Sequence, residues 1–323
     1  MIKNGFIVGK FMPLHKQHEA MIRQAATYCD NLTIILGSAN RGRSIKYPFT
    51  LAEREDYIRK CLPDVNLKFS YIFDYYDDMK WLNALTYIVG GEGTLLNFNK
   101  ADGSSDWIDS CFCKTFSLNG TFESTPYSAT TIREALYKEE DHDIWKDNVS
   151  PPMYRWLIQD NYHIINDMVK EYNFCENYKK DHKGPYGDIN HVASDVLMIV
   201  KDSIVLIERK SDVGVGQLAL PGGFLNSSDE SWLEGAKREV EEETNIDLSN
   251  HSSIKNEIFD QLSRSSRGRI ITRCYMFNLE EEDVADMKAK DDAKDVRLVP
   301  FKDITENLAL FADHSLIIHK MLT

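Results

Sequence analysis

From Ile2 to Phe73 the chain alternates short β-branched apolar runs with longer stretches of helical apolar spacing, and this alternation constrains the fold most strongly. Ile2–Val8 reads as a strand, His18–Cys29 as a helix, Leu32–Leu36 as a strand ending at Gly37, Thr50–Cys61 as a helix and Leu67–Phe73 as a third strand. Such alternation builds a parallel sheet covered by helices, because parallel neighbours need a crossover connection. Sheets of this class take ligands at the carboxyl ends of their strands. Pro151-Pro152 then opens a helical stretch from Met153 to about Phe174, and the polar segment 176–188 follows as the candidate linker.

Beyond residue 188 the pattern changes. Val192–Val200 and Ser203–Glu208 are strand-like runs joined by Lys201-Asp202, a hairpin signal. A glycine-rich loop, an acidic helix at 228–244, strands at 270–279 and 296–300, and a C-terminal helix complete the chain. Mixed strands around one conspicuous helix predict an α/β sandwich, not a second doubly wound sheet. Two domains are therefore expected, residues 1–178 and 184–323, and a 42% hydrophobic composition is enough to fill both cores.

Composition narrows the partners. The net charge of −13, with no dense Lys/Arg cluster, argues against nucleic acid and anionic membranes but not against small anions. No run approaches the ~18–20 apolar residues of a membrane span. The N-terminus lacks the apolar core of a signal peptide. The six cysteines form no CxxC pair, as expected of reduced thiols in a cytoplasmic protein. Homo-oligomerisation stays open.

The first strand runs into Gly9-Lys10-Phe11-Met12-Pro13-Leu14-His15-Lys16-Gln17-His18 and then a helix. A glycine at a strand end lets a ligand approach the backbone, and a helix N-terminus favours phosphate. His15 and His18 are three apart on the opening turn and so share a face. The segment resembles the (H/T)xGH motif of the nucleotidyltransferase superfamily, with Gln17 standing where Gly is usual. Gly37-Ser38-Ala39-Asn40, the run Ser44 to Thr50 with Glu53-Arg54, and Ser128-Ala129-Thr130-Thr131-Ile132-Arg133 resemble further motifs of archaeal-type nicotinamide mononucleotide (NMN) adenylyltransferases. That resemblance implies a Rossmann-like domain making NAD from NMN and ATP. His15, His18, Lys10, Lys46 and Arg133 would act on the phosphates. Gly9, Phe11, Gly37, Ser38, Asn40, Ser128 and Thr130 would line the nucleotides, and Trp81 would stack on nicotinamide. Taken singly, HxxH is often structural, Ser-x-Thr-x-x-Arg could be a helix cap, and a lone Trp is usually core.

Residues 222–246 read GGFLNSSDESWLEGAKREVEEETNI. Glu239, Glu242 and Glu243 lie at i, i+3 and i+4, so three carboxylates share one helix face. Their repulsion asks for a divalent cation, which would then grip a diphosphate. Glu242, central among them, is expected to carry enough of that repulsion for its neutralisation to stabilise the metal-free chain. The segment resembles the Nudix motif, G-x5-E-x7-R-E-U-x-E-E-x-G-U. Gly222, Gly223, Glu230, Arg238 and the three metal-binding glutamates are its matches, and Arg238 is expected to pair with Glu230. Two departures stand out: six residues separate Gly223 from Glu230, and Asn245 replaces the final Gly. The run with Arg264, Arg267 and Arg269, with Asp291-Asp292-Ala293 and Asp313-His314, resembles ADP-ribose-cleaving Nudix proteins. A solvated basic hairpin is the plainer reading of those arginines.

The two resemblances cover nearly the whole chain, and their fusion is itself a family, the bifunctional NMN adenylyltransferase/ADP-ribose pyrophosphatases. The implied fold is a nucleotidyltransferase α/β domain with a parallel sheet followed by a Nudix α/β/α sandwich. The implied ligands are ATP, NMN, NAD and ADP-ribose, with Mg²⁺ or Mn²⁺ in both domains. Two alternatives for the second domain are a non-hydrolytic ADP-ribose or NAD sensor and a hydrolase of another nucleoside diphosphate derivative.

Overall fold

The alternating first part forms five strands, β1 (Ile2–Gly9), β2 (Cys29–Leu36), β3 (Leu67–Tyr71), β4 (Thr94–Asn97) and β5 (Lys114–Ser117). They lie side by side in the order β3-β2-β1-β4-β5, and every pairing is parallel. Ile34 and Ile35 are adjacent and both are fully buried, so both faces of β2 are covered. Helices α1 (Lys16–Ala26), α2 (Leu51–Cys61), α3 (Asp78–Val89) and α4 (Ala129–Lys138) belong to the same part of the chain. Thr50 starts α2 with a reciprocal cap: its hydroxyl accepts from Glu53 N, and the Glu53 carboxylate accepts from Thr50 N at 2.8 Å. The order of strand addition reverses at β1, and in parallel sheets such a switch point has its crevice outside the strands' carboxyl ends, here those of β1 and β4.

The single helix predicted from Met153 is interrupted. The chain makes α5 (Pro151–Arg155), one π-helical turn at Trp156–Asp160, and α6 (Tyr162–Asp181). Asn161 leaves helical conformation at φ −130° and ψ 30°, and its backbone N–H and side-chain amide both donate to Trp156 O, at 3.0 and 3.2 Å. These bonds hold the wide turn, a feature that apolar spacing does not reveal. Trp156 is 1% exposed, packs edge-on to Phe49 and Tyr57, and donates its indole N–H to Asp56 at 2.8 Å. Such aromatic pairs add about 0.5–1.5 kcal/mol each beyond area burial.

This computed structural model describes all residues except 99–106, 108, 109, 119–126, 139–144, 186, 263, 306 and 307. The chain forms two units, Met1–Ala39 with Lys46–Val169, and Asn40–Ile45 with Lys170–Thr323. The polar stretch read as a linker contains the end of α6 and the short hairpin β6 (Lys183–Gly184) and β7 (Gly187–Asp188).

In the second unit the strands are β8 (His191–Val200), β9 (Ser203–Arg209), β10 (Leu218–Ala219), β11 (Gly222–Phe224), β12 (Lys255–Phe259), β13 (Ile270–Leu279) and β14 (Ala293–Pro300). They form one mixed sheet in the order β10-β9-β8-β13-β12, with β11 also on β8 and β14 also on β9. The β8–β13 pairing is parallel and the other pairings are antiparallel. Val196, Leu197 and Met198 are all fully buried, so this sheet too is covered on both faces. Val196 and Met198 pack with Ala236 and Val240 of α7 (Trp232–Thr244), and the C-terminal helix α8 (His314–Leu322) lies against β12. Within this unit the segment Asn40–Ile45 is anchored by Ser315 Oγ donating to Asn40 O (2.6 Å), Gln217 Nε2 to Arg43 O (2.6 Å) and Ile45 N to Glu171 (3.2 Å). Among the described residues no helix is long and apolar enough to cross a membrane.

Candidate active sites

In the first unit the ends of β1 and β2 are tied together. Gly37 N donates to Gly9 O at 2.9 Å. A Cβ at Gly9 would fall 2.6 Å from the Phe11 ring, so only glycine lets that ring fold back over the strand end. Phe11 and Ser38 both take left-handed backbone, at φ 54°. The Tyr57 hydroxyl donates to Phe11 O, and Ser38 Oγ donates to Asp74 at 3.1 Å. Arg54, 1% exposed, donates to Gly37 O at 2.6 Å and to Lys10 O at 3.4 Å, and burial pulls its pKa below the ordinary value. Arg54 therefore acts as the clasp of the two strand-end loops.

Around this clasp stand the cationic and imidazole side chains. His15 occupies the cap position of α1 and stacks on His18 at 3.6 Å, and His18 meets the edge of Phe11 at 4.9 Å. Lys10 and Lys46 both lie over the Tyr47 ring, at 5.1 and 5.5 Å. Arg133 donates to Met12 O and Ala129 O and, at 3.2 Å, to the Thr130 hydroxyl, which docks α4 on the β1 loop. Burial lowers its pKa too. Ser128 serves as a helix cap: its hydroxyl accepts from Thr131 N, and the Thr131 hydroxyl accepts from Ser128 N. Trp81 is half-buried, edge-on to Trp107 at 4.9 Å, against the core cluster that holds Ile35 and Leu85. Asn40, expected to line the nucleotides, is grouped with the second unit.

In the second unit Gly222 and Gly223 seat the acidic helix. A Cβ on Gly222, whose φ is 152°, would fall 2.2 Å from Ser194 O, and one on Gly223 would fall 2.5 Å from the Glu239 carboxylate. Ser231 caps α7, accepting from Glu234 N, and Asn245 ends it in the left-handed conformation that a glycine would otherwise supply. Glu243, 4% exposed, accepts from Gly222 N at 2.9 Å. Its pKa is pushed up to about 8, chiefly by burial and then by the neighbouring carboxylates of Glu239 and Asp292, against the opposing pull of Gly222 N–H and Arg209. Burial also raises the Glu239 pKa. Glu242 is the outer member, with a 46% exposed side chain.

Arg238 does not pair with Glu230 as expected. Its Nε and Nη2 each donate to Asp229 at 2.9 Å, and Nη1 reaches Glu239 and Glu242, both at 2.8 Å. The bidentate hydrogen bonding holds the Asp229 carboxyl at about 2, well below the usual carboxylate range. Asp229 keeps the five-residue spacing from Gly223 while Glu230 keeps the seven-residue spacing to Arg238, and it is Asp229 that meets the guanidinium. Among the described residues no three Asp, Glu, His or Cys side chains converge on a ready cation site. Two of the carboxylates rest on Arg238 and the third on Gly222 N, yet all are hard oxygen donors whose crowding a divalent cation would relieve.

The basic run is no single surface. Arg264 is bound to Asp313 at 3.1 and 3.2 Å and lies 3.7 Å from Asp195, a buried structural pair and not an open phosphate clamp. Arg267 stands over the rings of Phe224 (5.3 Å) and Tyr178 (6.0 Å). Arg269 lends its carbonyl to His191 N at 2.9 Å. His314 accepts from Leu220 N at 2.9 Å, and burial lowers its pKa.

Residues 6–135 match the cytidylyltransferase-like family model, and residues 189–321 match the NUDIX domain model. The chain joins a cytidylyltransferase-like domain to a Nudix domain. A crystal structure of a bifunctional NMN adenylyltransferase/ADP ribose pyrophosphatase from Francisella tularensis is similar over 100% of this chain and 99% of that one, with TM-score 0.82 and 27% identity. A second Francisella tularensis structure, complexed with AMP and a Mn ion, gives TM-score 0.78 at 25% identity over the same shares. The nicotinamide-nucleotide adenylyltransferase of Halobacterium salinarum is 43% identical over 63 residues, which are 20% of this chain and only 36% of that protein. Its counterpart in Saccharolobus solfataricus is 24% identical over 178 residues, 49% of this chain and 91% of its own length. These relatives are enzymes, and so is this chain. Arg54 was part of the motif reading but not given a site role, and Trp107 and Asp229 escaped it. Counting five residues from Gly223 would have found Asp229, but nothing local marks Trp107.

Proposed function

We propose that the cytidylyltransferase-like domain makes NAD from NMN and ATP, and that the Nudix domain hydrolyses ADP-ribose to AMP and ribose 5-phosphate. The likeness to the Francisella tularensis structure over the whole length of the chain carries this reading. In the first reaction the 5′-phosphate of NMN attacks the α-phosphorus of ATP and pyrophosphate leaves, so no protein nucleophile is needed. Catalysis is positioning and charge neutralisation. The grouping of His15, His18, Lys10, Lys46 and Arg133 about the β1 end supports this role for them, with Arg54 keeping the two strand-end loops together and Trp81 with Trp107 as the aromatic surface that would meet the nicotinamide. In the second reaction water attacks the diphosphate. Glu239, Glu242 and Glu243 would hold Mg²⁺ or Mn²⁺, which when bound screens the diphosphate charge. Arg238 and Asp229 hold the loop that seats those carboxylates.

The synthetic activity is assigned to residues 1–178 and the hydrolytic one to 184–323, with the end of α6 serving the latter. The test is a substrate panel on the full chain, its His18→Ala variant and its Glu242→Gln variant. Each variant should lose one activity, by about 10²-fold or more, and keep the other. Metal-dependent release of AMP from ADP-ribose supports hydrolysis. Binding of ADP-ribose without release would make the Nudix domain a sensor.

A further inference from the structure

The arginines near the acidic helix differ in what they are bound to. Arg238 is fixed on Asp229, and Arg264 on Asp313. Arg267 is half-buried, its Nε is buried with no hydrogen-bond partner among the described residues, and desolvation lowers its pKa. What it has are aromatic faces, Phe224 at 5.3 Å and Tyr178 at 6.0 Å. Rings that stack on a guanidinium occupy its faces and leave its in-plane N–H donors directed outward, the geometry of planar recognition of an oxyanion. Asp195 and Glu171 act on this guanidinium only from beyond ion-pair distance, so its desolvation is incompletely offset, and an anionic ligand would offset more of it.

The position is suited to a diphosphate. Phe224 directly follows Gly222-Gly223, the backbone on which Glu243 and Glu239 rest. The Tyr178 ring is itself fixed: His182 stacks on it at 3.9 Å with planes 16° apart, and His191 lies 5.4 Å from Tyr178 and 5.3 Å from Phe224. Tyr178 and His182 belong to the α6 end and lie outside the matched Nudix stretch 189–321.

We infer that Tyr178 is a positioning residue of the hydrolase site, holding the Arg267 guanidinium as a planar clamp for the substrate's diphosphate. This rests on the hydrolase reading above. The test uses the full chain and steady-state hydrolysis of ADP-ribose. Tyr178→Leu should raise KM about tenfold, equal to ~1.4 kcal/mol, with kcat within about twofold, and Tyr178→Phe should restore KM because the ring remains. Arg267→Lys keeps the charge but loses the fork, so it should raise KM at least as much, and it serves if Tyr178→Leu fails to fold. NAD synthesis should be unchanged in all three. An unchanged KM in Tyr178→Leu or in Arg267→Lys overturns the inference, as does a fall in kcat alone. Should the wild type not cleave ADP-ribose, the hydrolase reading fails. Calorimetric binding of ADP-ribose without metal then decides the clamp: tenfold weaker binding by Tyr178→Leu supports it, and equal affinity overturns it.

Discussion

Replacing Glu243 by Gln tests the electrostatics of the Nudix helix most directly. The Glu243 carboxyl is 4% exposed, accepts from Gly222 N, and titrates at about 8 instead of 4.5, mainly through burial. The sign follows from linkage. A pKa raised in the folded state means that the folded chain keeps a proton the unfolded chain releases. Stability from this group is fully present below pH 4.5, falls as pH rises, and is lost above about 8. At ~1.4 kcal/mol per pH unit, the loss between pH 4.5 and 7 is ~3 kcal/mol for the metal-free protein. Gln keeps the shape and can still accept from Gly222 N, but it does not ionise. Chelator-treated Glu243→Gln should therefore match the wild type near pH 4.5 and exceed it at pH 8, where its Nudix transition should melt about 5–10 °C higher. Mg²⁺ or Mn²⁺ should raise the wild-type melting temperature and close that gap, since only the carboxylate gains a cation. Thermal melting at both pH values, with and without metal, reads all of this. A mutant no more stable than wild type at pH 8 in chelator refutes the reasoning, and so does a gap of equal size at both pH values. The sequence pointed to Glu242 for this relief, but Glu242 is half-exposed and bound to Arg238, so Glu242→Gln should bring no comparable gain.

Three further outcomes are expected. Asp229→Asn should destabilise the Nudix domain by about 1.5–3 kcal/mol, since it weakens charged hydrogen bonds to Arg238, whereas Glu230→Gln should stay within about 0.5 kcal/mol; denaturant melts of both variants compare them. His18→Ala should lower kcat for NAD synthesis by about 10²-fold or more and leave hydrolysis unchanged, and an unaltered synthesis rate removes His18 from the site. Arg54→Met should cost about 3 kcal/mol or more, because carbonyls of Gly37 and Lys10 lose their buried donor; a variant as stable and active as wild type would show that Arg54 is no clasp.

Local physics wrote much of this molecule into its sequence. Alternating apolar periods gave the parallel sheet, since β-branched runs bury both faces of β2 and leave Gly9 and Gly37 at strand ends. Helical spacing put Glu239, Glu242 and Glu243 on one turn, and Asn245 could end the helix where glycine is usual. Such features depend on residues within one element or one turn of each other. Tertiary structure decided what spacing cannot express. It chose Asp229 over Glu230 for Arg238, because the loop between Gly223 and Ser231 sets which carboxylate meets the guanidinium. It broke the helix after Arg155 and brought the Trp156 indole to Asp56. Three neighbouring arginines look alike in sequence, yet Arg264 became a buried ion pair, Arg269 a backbone link and Arg267 a cation near two aromatic rings. Their burial and partners come from β8, β11, α6 and the turn before α8, and contacts so distant in sequence form only when the sheet closes.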